Sequence, residues 1–164
     1  MKQGIPRKLL NVDGLIDRWE KERKEAAVKL GGEQLNHRRL LLALPEFLES
    51  LRADLEQPFE VFNKRVRREN EFTLSIPNGG VFAAVKDSYP KATLHVGVIP
   101  ELASLSVKGE TAEAEFRGSY SLRMEDMQIH LEDKFSKKRV HVTTQDIERK
   151  VLLPFFASVL NSMK

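Results

Sequence analysis

Three histidines on one expected strand face are the first residues in this chain that could do chemistry. His95, His130 and His141 share a predicted polar face, and a pairing of Ile129 with Val142 sets His130 directly across from His141. Two imidazoles opposed across strands can bind a metal ion through their neutral nitrogens. A metal centre needs a third ligand, and the sequence defines none, so solvated surface histidines and no metal are expected. His37 stands beside Arg38 and Arg39 without ligand spacing. Ser88 and Lys91 match Ser-x-x-Lys, but the companion Ser-Asp-Asn and Lys-Thr-Gly elements are absent and Pro90 makes the segment a turn. Neither the dinucleotide fingerprint nor the P-loop pattern occurs. The acid pairs Glu113/Glu115 and Glu132/Asp133 read as solvated strand faces. The chain has no cysteine, which excludes disulfides, thiolate metal sites and cysteine nucleophiles. No catalytic constellation and no cofactor are expected.

Basic clusters offer a second chemistry. Lys64, Arg65, Arg67 and Arg68 close the helical half of the chain, and Lys137, Lys138 and Arg139 lie near the last hairpin. Both are candidate anion or nucleic-acid contacts. Sheets that bind single strands also stack bases on exposed aromatics, and the polar face offers little beyond Phe82, with Phe135 in a loop. The net charge of +3 permits an anionic partner without requiring one.

The elements that must position these residues follow from periodicity. With 164 residues, 41% hydrophobic and 31% charged, the chain is expected to be one ordinary globular domain, 1–164. Its helical part covers 12–69, its sheet 71–142 and a closing helix 144–163. The first helix is expected from Asp13 to Gly31-Gly32, with an apolar stripe of Leu15, Ile16, Trp19, Ala26, Ala27 and Leu30. A second runs from about residue 33 toward Val66, split or kinked at Pro45 and Pro58. The period then changes from 3.6 to 2. An Asn78-Gly79 hairpin is expected to pair Leu74 with Ala83 and Phe72 with Val85, leaving Phe82 on the wet face. Leu94, Val96 and Val98 pass their face on to Ala103, Leu105 and Val107, and a turn is expected around Gly109. A long strand from Ala112 to Met124, bent at Gly118, turns at Glu125-Asp126 so that Leu122 meets Ile129 and Tyr120 meets Leu131. The result is an α+β fold. N-terminal helices precede an antiparallel meander of about seven strands with one apolar face, and a C-terminal helix, kinked at Pro154, packs on that face.

The stripe through Leu44, Leu48, Leu51, Leu55, Phe59, Phe62 and Val66 takes successive steps of four, so it reads as a cover for the sheet rather than a zipper. In outline the arrangement resembles helix-grip ligand-binding folds, a likeness of architecture that rests on no motif. A bent strand and curved sheet closing on the aromatic helix can leave a cavity for a small apolar ligand lined by Phe116, Tyr120, Phe155 and Phe156, an alternative to the filled core that close packing leads one to expect. The leading expectation is a non-catalytic binding or assembly protein whose partner is another protein or its own copy, served by apolar helical residues such as Leu40, Leu42 and Val61. No run approaches the roughly 20 apolar residues of a membrane span, and the first residues lack a signal-peptide core, so a cytoplasmic location is expected.

Overall fold

The computed structural model describes residues 4–136 and 140–164, with side chains from residue 11 onward. Helix α1 spans Gly4–Arg65. Seven strands follow: β1 (Thr73–Ser75), β2 (Gly80–Lys86), β3 (Ala92–Ile99), β4 (Ser104–Glu110), β5 (Glu115–Glu125), β6 (Gln128–Asp133) and β7 (His141–Val142). They form one open antiparallel sheet in chain order. Helix α2 (Thr144–Ile147), a π-helical turn over Glu148–Leu152 and helix α3 (Leu153–Ser162) close the chain. The expected α+β architecture is therefore present. Among the described residues no helix is long and apolar enough to cross a membrane.

The chain groups into two compact units, residues 1–39 and 40–164. The second holds the whole sheet and the core. The end expected at Gly31-Gly32 and a split at Pro45 or Pro58 are absent from α1. Gly31 and Gly32 do not end the helix, because neither adopts the left-handed backbone of a C-terminal cap. Pro45 and Pro58 lie inside it. A proline in a helix interior costs about 3 kcal/mol. Burial of Leu44, Leu51, Leu55, Phe59 and Phe62 on the same stretch offsets that cost. At the other end of the chain, Pro154 has no N–H to return to the preceding turn, and the π-helical turn immediately before α3 absorbs the irregularity.

The core is built on phenylalanine. The Phe59 ring lies 4.8 Å from Phe156, 5.1 Å from Phe72, 5.5 Å from Phe82 and 6.2 Å from Phe155, centroid to centroid. Phe155 approaches the sheet over Gly109, where a Cβ would sit 2.9 Å from its ring. Gly109 is thus a strand residue that admits a ring, and the expected turn falls later, where Thr111 N–H donates to the Ala114 carbonyl. Asn63 ties α1 to the start of the sheet: its amide donates to the Phe72 carbonyl at 3.0 Å and accepts from the Phe72 N–H at 2.8 Å.

Register departs from expectation at two hairpins. Leu74 pairs with Ala84, one residue off, because the turn runs from Pro77 to Gly80 and only Gly79 has positive φ. A one-residue slip exchanges the faces of a strand. Phe82 and Ala84 therefore point inward, and Phe82 is fully buried rather than wet. At the β5–β6 hairpin the left-handed residues are Asp126 and Met127, so Leu122 pairs with Leu131 and Met124 with Ile129. That two-residue shift keeps every face.

Truncating the central ring should be costly. Phe59→Ala is expected to lower the unfolding free energy by about 3–5 kcal/mol. Asn63→Ala should cost roughly 1–3 kcal/mol by orphaning the Phe72 backbone groups. Urea denaturation of the two variants checks both values.

Candidate interaction site

The basic residues at the end of α1 stand in the open. Lys64, Arg65, Arg67 and Arg68 are all exposed, and none makes an ion pair among the described residues. Lys64 and Arg65 occupy the last turn of the helix, where cations complement the exposed carbonyl end. The second cluster, Lys137, Lys138 and Arg139, lies outside the described residues. Burial of Phe82 removes the aromatic that a base-stacking sheet face needs, and Phe135 stays exposed.

The four expected cavity residues separate. Phe155 and Tyr120 are packed in the core, and Phe116 is half-buried with its ring edge-on to Phe155 at 6.3 Å. Phe156 instead helps line an open groove between α1 and the C-terminal helix. Its walls are Pro58, Val61, Phe62, Leu153, Phe156 and Leu160, its volume is about 810 Å³, and Arg65 and Glu148 also border it. Arg65 from the basic cluster and Phe156 from the apolar set thus meet at one place. Of the apolar helical residues expected to face a partner, Leu42 and Val61 are exposed, whereas Leu40 is buried in the core.

The largest apolar exposure lies in residues 11–36 of α1, every one of which is exposed. Leu15 is 60% exposed, Trp19 58%, Val28 76% and Leu30 55%. The Arg23 guanidinium lies over the Trp19 ring at 5.4 Å.

Two arrangements have no signal in residue patterns. Lys86 is fully buried, and its amine donates to the carbonyls of Ser88 at 3.2 Å and Pro90 at 2.8 Å. Burial holds that amine below its usual range. The Ser88–Lys91 match therefore has a structural setting, with Lys86 tying the loop. The second arrangement concerns the histidines. His95 is exposed on β3. His141 pairs with Glu132, and Val142 with Leu131, so His130 lies diagonally from His141 rather than directly opposite. Their rings still stack, 4.1 Å apart and 14° from parallel. Glu125, the last residue of β5, reaches the same spot with its Oε2 2.9 Å from His141 Nε2. The β5–β6 register thus brings beside the two imidazoles a carboxylate that the sequence did not place there. Acids Glu115 and Glu132 are occupied by Arg117 and Arg123.

Burial first, then the charges of Asp133 and Asp146, push the Tyr120 phenol up to about 12. Between pH ~10 and this value the unfolded chain loses a proton that the folded chain keeps. Stability from this group is therefore lost as pH rises through that window. In Tyr89→Phe, the remaining phenolate absorbance should develop near pH 12, together with unfolding. Titration near pH 10 in a folded chain would contradict the assigned burial.

Comparison with known protein families, curated proteins and solved structures finds no match to this chain.

Proposed function

We propose that the chain is a non-catalytic assembly protein of the cytoplasm that pairs with a second copy of itself through the helix of residues 4–39. The observation that carries this reading is the exposed apolar stripe of that helix, with Leu15, Ile16, Trp19 and Leu30 all about half exposed or more. Helices draw most of their stability from packing an apolar face. Here Gly14, Gly31 and Gly32 weaken the helix further, by about 1 kcal/mol each relative to alanine. None of these three glycines has a neighbour within 4 Å of where a Cβ would stand. A partner helix over the stripe supplies what the single helix lacks.

The spacing also selects the partner. Val12, Ile16, Trp19, Arg23, Ala26, Leu30, Glu33 and His37 follow one another in alternating steps of four and three, the seam of a two-helix coil. A parallel pair in register would stack Arg23 on Arg23 and Glu33 on Glu33. An antiparallel pair centred between Arg23 and Ala26 avoids both like-charge layers. It sets Trp19 against Leu30 and Ile16 against Glu33, and it brings Glu22 beside Lys29 of the second copy. Charge complementarity therefore favours a second copy of this chain, antiparallel.

Sedimentation equilibrium at micromolar concentration should show a dimer, and Ile16→Asp combined with Leu30→Asp should give a monomer with an unchanged core. Glu22→Lys should weaken the dimer several-fold, and adding Lys29→Glu should restore it. A strict monomer at every concentration rejects the reading.

A second reading rests on the groove. Its apolar walls beside Arg65, which makes no ion pair among the described residues, suit an apolar molecule with one anionic head. A long-chain fatty acid should then raise the melting temperature by mass action, and Val61→Asp should abolish the rise. No shift at saturating lipid would dismiss the groove as a ligand site.

A further inference from the structure

We propose that Glu125, His130 and His141 form a binding site for a divalent transition-metal ion of the zinc class. Three consecutive strands deliver the three side chains to one face. The Asp126-Met127 turn ends β5 at Glu125, and the pairing of Arg123 with His130 puts Glu125 two residues further along the same face. The short ladder of β7 then sets His141 diagonally beside His130. Diagonal neighbours across strands are within reach of long side chains.

The donor atoms all lie within 4.8 Å of one another. A tetrahedral ion bonded at 2.0–2.1 Å holds its donors about 3.4 Å apart, so the cluster must contract by little more than an ångström. Glu125 Oε2 and His141 Nε2 stand 2.9 Å apart as a hydrogen-bonded pair, which opens slightly when both turn to the ion. The imidazoles are stacked at 14°, so their lone pairs do not yet converge. Binding requires the half-buried His130 ring to turn a nitrogen toward the other two donors. This is a side-chain motion that leaves the strands in place.

The chemistry of the set is selective. Two neutral imidazoles and one carboxylate suit zinc, nickel or copper, whereas magnesium and calcium require oxygen donors. The nearby cation, Arg123, is held by Glu132 at 3.3 Å, which keeps both of those charges engaged outside the donor set. Three protein donors leave a fourth position for water or an outside ligand. The consequence for the fold is specific: β7 has two residues in the ladder, and an ion on His141 fastens this short edge strand to β5 and β6.

The test is calorimetric titration of the full chain, free of any affinity tag, with zinc chloride, alongside the cobalt(II) absorption spectrum. The expected result is one equivalent bound, a raised melting temperature and the intense visible bands of four-coordinate cobalt. His130→Ala and His141→Ala should each weaken zinc by at least about tenfold, the loss typical even of outer-sphere partners. Glu125→Gln, isosteric with the native residue, should weaken zinc and change the cobalt spectrum. The His37→Ala/His95→Ala chain should bind as the native protein does. No binding by the native chain overturns the assignment, and so does equal binding by a folded His130→Ala/His141→Ala chain.

Discussion

The packing of Phe59 against Phe72, Phe82, Phe155 and Phe156 is the interaction on which the rest of residues 40–164 depends. It joins α1, the residue that leads into β1, strand β2 and the C-terminal helix at one point. Aromatic pairs in tilted and edge-on arrangements add about 0.5–1.5 kcal/mol each to the burial of their surface. The same burial explains why α1 runs through Pro58, which stands next to the fully buried ring. Gly109 and Asn63 serve this junction. One removes the side chain that would collide with Phe155, and the other satisfies the backbone of Phe72 where a strand partner is missing.

A filled centre moves the functional surfaces outward. Tyr120 and Phe155 are buried in the core, and an apolar groove lies beside Arg65. The exposed stripe of residues 11–36 belongs to the other compact unit, residues 1–39. Its residues have the spacing of a seam, yet the seam carries Arg23 and Glu33. Those two charges argue against a parallel pair in register and for an antiparallel one, since buried like charges are strongly unfavourable. The specificity of the proposed assembly thus lies in the polar residues that interrupt the stripe.

Much of the fold was legible in the sequence because period-2 alternation survives turn errors of two residues. Leu94, Val96, Leu105 and Val107 are buried as their spacing implies, and Tyr120, Leu122 and Leu131 keep their face despite the shifted β5–β6 turn. An error of one residue is different. Reading Asn78-Gly79 as a two-residue hairpin put Phe82 on the wrong side, and a central core ring was taken for a surface aromatic. The continuity of α1 was also hidden, since proline signals a break that the buried side chains around it overrode, and Gly31 and Gly32 keep helical backbone. Asn63 and Lys86 left no trace because their partners are backbone atoms. The carboxylate beside the two histidines was invisible for a related reason: it depends on register, which the turn at Asp126-Met127 decides.

The absence of native cysteine makes the helix pairing directly measurable. Mixing Ile16→Cys and Glu33→Cys chains under mild oxidation tests which residues meet across two copies. The antiparallel pairing predicts a disulfide between the two variants and little linkage of either variant with itself. Efficient self-linkage of each variant in separate tubes, or no linkage in the mixture, would contradict it.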